Sequence, residues 1–279
     1  EYLIYMYGGS AMLSALVLIY IISDEGNSTI KLSWVVPILI FPVFGTLFYL
    51  FLTLQPGTHR INRRIEEVGT KLRPYLLQDP EVLAHYESIS ASGGNLVRYM
   101  NQYGRFPAYE NTGVRYFPLG DDMFPVLLEE LKKAEHFIFM EYFIVEHGVM
   151  WDAILQVLET KASEGVEVRF MYDGMGNLFT LPHGYEKAMQ EKGIQCKIFA
   201  PVRPALSSYQ NNRDHRKICV IDGHTAFTGG VNLADEYINQ RVRFGHWKDT
   251  AVMIKGKAVD SFTMMFLQLW DVTERDGEE

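Results

Sequence analysis

Cysteine is scarce in this chain: Cys196 and Cys219 are the only two in 279 residues, and both are expected to be free thiols. The cysteines and the eight histidines show no metal-ligand spacing, so neither a metal nor a cofactor is expected. Net positive charge is missing too. The formal charge is −8, and the part after Leu54 is still acidic, which argues against a general polyanion-binding surface and against nucleic acid as a partner. Charge of either sign is absent from Tyr2 to Ile22 and again from Leu32 to Leu54. Each run is long enough to cross the ~30 Å hydrocarbon layer as a helix, whereas a buried soluble helix or a signal peptide has a shorter uncharged stretch. Pro37 and Pro42 lie in the second run, where a membrane helix tolerates them.

Two transmembrane helices are therefore expected within residues 1–54. The segment between them, Asp24 to Lys31, is short and acidic, whereas Arg60, Arg63, Arg64, Lys71 and Arg73 follow the second run. Positive charge is retained inside, which predicts a multi-pass cell-membrane protein with a brief external loop and everything after the second span on the cytoplasmic side, a reducing compartment for both thiols. Residues 55–111 read as a juxtamembrane connector, helical only around Ile61, Ile65 and Val68. Glu1 in place of an initiator methionine, and the charged ending Thr273 to Glu279, suggest a fragment.

From Thr112 the pattern changes to short alternating elements. Strands are expected at Val114–Phe117, His136–Val145, Val166–Tyr172 and Ile194–Phe199, and helices at Asp121–Ala134, Val149–Ser163, Gly184–Lys192 and Val259–Asp271. That alternation predicts an α/β layer architecture over residues 112–279, with a polar loop from Pro201 to Asn212 just before the most informative stretch.

That stretch is Asn211-Asn-Arg-Asp-His-Arg-Lys-Ile-Cys-Val-Ile-Asp-Gly-His-Thr-Ala-Phe-Thr-Gly-Gly-Val-Asn232, which reads H-x-K-x4-D-x6-G-G-x-N. Side chains two apart in an extended segment share a face, so His215 and Lys217 can meet one phosphate while Ile218 and Val220 enter the opposite layer. Asp222 has the other parity and opens the Asp222-Gly223 turn between strands Lys217–Ile221 and His224–Thr228; its expected job is to hold that turn and the neighbouring backbone. Gly229 and Gly230 lack the Cβ atoms that would keep backbone N–H groups from an anion. Asn232 is expected to donate a hydrogen bond or to cap a helix beginning at Leu233. Together these groups offer an imidazole, a cation and neutral donors around one oxyanion.

The motif resembles the signature of the phospholipase D superfamily. With the two apolar runs, the basic connector and the strand Met140-Glu-Tyr-Phe-Ile144, the chain looks like the N-terminal part of a bacterial cardiolipin synthase. The resemblance implies a phospholipase D-like sandwich, a mixed sheet flanked by helices, in which two such motifs build one metal-free site. It implies His215 as nucleophile through a phosphohistidine, Lys217 as phosphate clamp, Asp222 as orienting group and Asn232 as auxiliary donor. It further implies phosphatidylglycerol and other membrane phospholipids as partners, with cardiolipin and glycerol as products. Only one motif is present: His246-Trp-Lys248 has no aspartate at the required position and belongs to a strand running to Ile254. The second motif would come from a missing C-terminal half or from a homodimer partner, and the fragment alone would then be inactive.

Weaker candidates are Glu236, close enough in sequence to buttress an imidazole, and Glu141, a carboxylate on an apolar strand. Asp173 ends a strand where α/β sheets place functional loops, and Arg203 and Arg213 flank the polar loop as phosphate or headgroup contacts. Two other readings remain at this level: a phospholipase D-type phosphodiesterase or one-motif dimeric nuclease, and a non-catalytic membrane protein that binds lipid headgroups.

Overall fold

The computed structural model describes residues 2–53, 56–202 and 213–273, in two compact units divided at Arg60. Arg203 and most of the polar loop before the motif lie outside the described residues.

The smaller unit holds three helices: α1 (Tyr2–Ser23), α2 (Ser28–Ile40) and α3 (Pro42–Thr53). Asn27 caps α2 by accepting from the Thr29 N–H at 2.8 Å. The second apolar run is thus two helices of 13 and 12 residues instead of one span. Pro42 has no N–H to continue the ladder, and the chain turns at Phe41. Trp34 meets Tyr49 with ring centroids 5.4 Å apart, so α2 and α3 lie side by side as a hairpin. Among the described residues, no helix is long and apolar enough to cross a membrane. This corrects the expected continuous second helix.

The connector is also more helical than its composition suggests. After α4 (Pro56–Leu72) come α5 (Pro80–Ile89), capped by Asp79, and α6 (Ala91–Tyr99), capped by Ser90, then a π-turn over Met100–Gly104 that ends at Arg105 with φ 62°. The caps explain why short, polar segments form helices here.

The larger unit is built on a seven-stranded mixed sheet. Its strands are β1 (Gly113–Phe117), β2 (Phe137–Tyr142), β3 (Glu167–Asp173), β4 (Gln195–Phe199), β5 (Ile218–Ile221), β6 (Thr225–Gly229) and β7 (Ala251–Lys255). They lie in the order β1-β7-β6-β5-β2-β3-β4. β2, β3 and β4 run parallel, joined by crossover helices α8 (Val149–Ser163) and α9 (Tyr185–Glu191); β5, β6, β7 and β1 pair antiparallel. One face carries the main core, where Met140, Phe170 and Phe227 pack with Leu127 of α7 (Gly120–Lys132) and Trp151 and Ile154 of α8. The other face is covered by α10 (Val259–Val272), with Phe266 stacked on Phe139 at 4.9 Å. Helices on both faces of a mixed sheet make the expected α/β layering. Because β5 is antiparallel to β2, its first residue lies beside the carboxyl end of β2, with Ile218 opposite Glu141. This register brings the motif to the end of the sheet where the β2 and β3 loops emerge.

Candidate active site

His215 and Lys217 precede β5 and turn to the same side, as the alternation requires. Lys217 Nζ lies 3.2 Å from His215 Nδ1 and donates to the His215 carbonyl at 2.6 Å. Phe143, from the loop after β2, packs on the imidazole with ring centroids 4.6 Å apart, and Lys217 Nζ sits 5.5 Å from the Phe143 ring centre. The His215 ring is exposed, whereas Lys217 is buried with 4% of its surface accessible. Burial pulls the lysine pKa below its ordinary value, and the charges of Asp214 and Asp249 only partly oppose this. An ammonium held dry beside an open imidazole is poised to gain from an arriving anion.

The intervening residues face the other way. Arg216 Nη2 donates to Glu141 Oε2 at 3.2 Å, and its Nε lies 2.7 Å from Oε1 without the alignment of a hydrogen bond. Arg216 Nε also donates to Asp214 at 3.2 Å. The Asp214 N–H donates to Asp173 Oδ2, and Asp173 Oδ1 accepts from the N–H groups of Met175 and Gly176 at 2.8 and 2.9 Å. Arg213 donates to the Ala200 carbonyl at 2.8 Å and lies 3.5 Å from Asp173. Glu141 and Asp173 are fully buried, and burial, more than the neighbouring Asp214, drives the Glu141 carboxyl well above the usual carboxylate range against the pull of Arg216. The strand-end carboxylates and the two arginines thus form a buried ionic floor beneath the motif. Glu141, Asp173 and Arg213 are structural members of it in this arrangement.

Asp222 stands at the far end of the hairpin from His215. It and Gly223 have φ of 52° and 65°, the left-handed pair of a tight two-residue turn. Its carboxylate accepts three backbone N–H bonds, from Glu135, His136 and Phe137, each at 2.8 Å. Partial burial would raise its pKa, but these donors outweigh that effect and hold the carboxyl below its ordinary value. The side chain ties the β5–β6 turn to the start of β2.

The glycine pair does different work from the expected anion cradle. A Cβ on Gly229 would stand 2.3 Å from the Thr250 carbonyl oxygen, and one on Gly230 would stand 1.8 Å from Asp249 Oδ1. The Gly230 N–H already donates to Thr250 O at 2.9 Å. These glycines make room for the chain entering β7 and for the Asp249 carboxylate. Asn232 is likewise committed: its Oδ1 accepts from Ile144 N–H at 2.9 Å and its Nδ2 donates to the Tyr237 hydroxyl at 2.8 Å. The short 3-10 turn that follows begins at Asp235 without a side-chain cap from it. Glu236 does not meet the imidazole either; it is buried between Arg241 and Arg243, with Arg243 Nη1 at 2.8 Å, and Arg241 also grips both oxygens of Glu146 at 2.6 Å.

Sequence reasoning missed Phe143, Asp214, Arg216 and Asn177. Asn177 accepts from Val145 N–H at 2.7 Å and donates to Phe143 O at 2.8 Å, bracing the loop that carries Phe143. Strand parity alone would have pointed to Asp214 and Arg216 as a pair; nothing local marks Asn177. Asp249, placed only in a strand by the sequence, proves to be the carboxylate that Gly230 admits.

Residues 127–270 match the family described as cardiolipin synthase, PLD-like domain, and residues 12–52 match the phospholipase D-nuclease N-terminal family. An uncharacterized protein of Streptococcus mutans is 46% identical over 93% of this chain and 56% of its own length. Cardiolipin synthases of Alkalihalophilus pseudofirmus and a Geobacillus species are 34% and 33% identical over 90% and 95% of this chain, and over 50% and 54% of their own. The chain therefore spans about half the length of the curated relatives it matches. Among solved structures, NucT from Helicobacter pylori is similar over 58% of this chain and 98% of its own, at 15% identity and a TM-score of 0.45. The H-x-K-x4-D hairpin, set at the end of a mixed sheet inside the matched region, places this chain in the PLD-like cardiolipin synthase family.

Proposed function

We propose that this chain is the first catalytic half of a membrane-bound phosphatidyltransferase that makes cardiolipin and glycerol from two phosphatidylglycerol molecules. The observation that carries the reading is the exposed imidazole of His215 held 3.2 Å from the buried Lys217 Nζ, which lets one phosphate meet a nucleophile and a cation together. The His215 imidazole attacks phosphorus through its unprotonated ring nitrogen, the P–O bond to the headgroup glycerol breaks, and the departing oxygen takes a proton from a second motif's imidazole. The primary alcohol of the second lipid then gives its proton to that imidazole and attacks the phosphohistidine, breaking the P–N bond. Lys217 holds the phosphoryl oxygens throughout.

Asp222, Gly229, Gly230, Asn232, Glu141 and Glu236 support the site through the backbone and ionic contacts described above, and Arg213 ties the start of the motif to the Ala200 carbonyl. The second motif belongs to a C-terminal half or to another copy of the chain; the half-length match to the relatives favours the former. The anchor is the smaller unit, where Ser14 and Thr46 are buried while Met12, Phe44 and Leu39 are exposed, the inverse of a water-soluble bundle. The catalytic unit lies on the cytoplasmic side, following the basic residues after Thr53.

Membranes carrying the protein with its second motif, given labelled phosphatidylglycerol, test this directly. Cardiolipin plus glycerol is expected, together with a base-stable phosphoryl adduct on His215 in acid-quenched samples. Phosphatidic acid as the sole product would mean hydrolysis. Full turnover by His215→Ala would refute the nucleophile.

A further inference from the structure

The run Leu32–Leu54 has the length and composition of a membrane span without its shape. Residues 34 and 49 would be separated by roughly 22 Å in one straight helix, yet the Trp34 and Tyr49 rings are in contact, with Trp34 also 5.9 Å from Phe48. The turn is stabilised from inside. Phe41 N–H donates to Pro37 O at 2.8 Å, Gly45 N–H donates to Phe41 O at 2.7 Å, and Ser14 of α1 donates to Pro42 O at 3.0 Å. Thr46 donates to the same serine hydroxyl at 2.8 Å. Gly45 is required for the close approach, because a Cβ there would stand 2.8 Å from Ile38 Cα and 2.9 Å from Pro37 O.

Three properties of this hairpin suit hydrocarbon. At the bend the Phe41 and Gly45 N–H groups and the Pro37, Phe41 and Pro42 carbonyls are paired and Pro42 has no N–H to leave open, which lowers the cost of a turn inside a bilayer. Its close contacts use Gly45, Thr46 and Ser14, the small and hydroxyl residues that pack helices in lipid. Its outer surface and tip are large and apolar: Phe41 is 64% exposed, Leu39 63%, Phe44 70% and Leu47 57%. Each leg, at 1.5 Å per residue, reaches only about 18–20 Å, well short of the ~30 Å core.

We propose that α2 and α3 form a re-entrant hairpin that enters the bilayer from one face, turns at Phe41–Pro42 within the hydrocarbon, and leaves by the same face. Asp24–Lys31 and the connector from Pro56 then share one side of the membrane, the cytoplasmic side, and there is no external loop between them. This rests on the membrane anchorage proposed above, and its tests are independent of catalysis.

One double variant and two single variants of the full chain, expressed in bacterial cells, decide it. In Trp34→Cys/Tyr49→Cys, a short bifunctional thiol reagent joins the two positions in intact membranes; a straight span leaves them too far apart and yields no link. In the single variants Glu25→Cys and Asn62→Cys, both at exposed positions, an impermeant maleimide labels neither in intact cells and both in inverted vesicles. Cys196 and Cys219 are buried, with thiol pKa values raised far above normal by burial, so they contribute little background. Labelling of Glu25→Cys from outside, or absence of the 34–49 link, overturns the hairpin. Release of the chain by alkaline carbonate overturns the anchorage itself, which separates the two failures.

Discussion

Replacing Asp222 by alanine removes one acceptor from three backbone donors at once. The N–H groups of Glu135 and His136 are exposed enough for water to substitute, whereas that of Phe137 is partly buried. A hydrogen bond to a charged acceptor contributes ~1.5–3 kcal/mol when buried and much less in water, so the total cost is about 2–3 kcal/mol. Asp222→Asn keeps an acceptor oxygen and tolerates φ 52°, and should cost roughly 1 kcal/mol. The pH dependence has a definite sign. Because the folded carboxyl titrates below its ordinary value, its stabilisation is complete above the unfolded pKa and is lost as pH falls through the lowered folded value; the Asn variant loses that acid-side component. Urea unfolding of the detergent-solubilised protein, followed by tryptophan fluorescence, measures the cost. Hydrogen exchange at residues 135–137 localises it. If Asp222→Asn left both unchanged while abolishing turnover, the carboxylate would be acting on substrate and the structural assignment would be wrong.

Gly230→Ala places a methyl group against Asp249 and should cost at least about 2 kcal/mol, visible as a lowered Tm; an unchanged Tm would contradict the packing role. Asn232→Leu strands the Ile144 N–H and the Tyr237 hydroxyl, with an expected loss of ~2–3 kcal/mol in the same unfolding assay. Lys217→Met removes a desolvated ammonium, so the protein should be no less stable yet lose ~10²–10³-fold in turnover. Glu141 titrates above its ordinary value, so its ionisation opposes folding as pH rises from the unfolded carboxylate pKa through the raised folded one. Glu141→Gln should flatten that decline in a pH series of unfolding midpoints, and an unaltered slope would count against the buried cluster.

The placement of His215, Lys217 and Asp222 was legible because it depends on chain-local geometry. Side-chain alternation puts the first two on one side, and Asp-Gly makes a tight turn wherever two strands adjoin it. The strand and helix sites after Thr112 were legible for a similar reason: hydrophobic periodicity marks them within ten or so residues. Val149–Ser163 is found with the expected bounds, and most others within two residues.

What the chain could not display locally was which distant segment each polar group would meet. Gly230 looks like an anion cradle until Asp249 occupies its missing Cβ, and Asn232 looks like a donor until Ile144 and Tyr237 use both ends of its amide. Glu141 and Glu236 acquire their meaning from Arg216 and from Arg241 and Arg243, on strand neighbours or loops that composition does not join. The apolar run Leu32–Leu54 is the sharpest case. Its amino acids determine that it seeks an apolar environment, but whether Pro42 merely kinks a helix or reverses it depends on Gly45 admitting Ile38 and on Ser14 of another helix receiving the bend. Sequence by itself determined that His215 and Lys217 share one side and that Asp222 opens a tight turn, since both are set by backbone geometry over a few residues. The tertiary structure alone decided the supporting contacts and the path of the apolar run, since those are pairings between segments far apart in the chain.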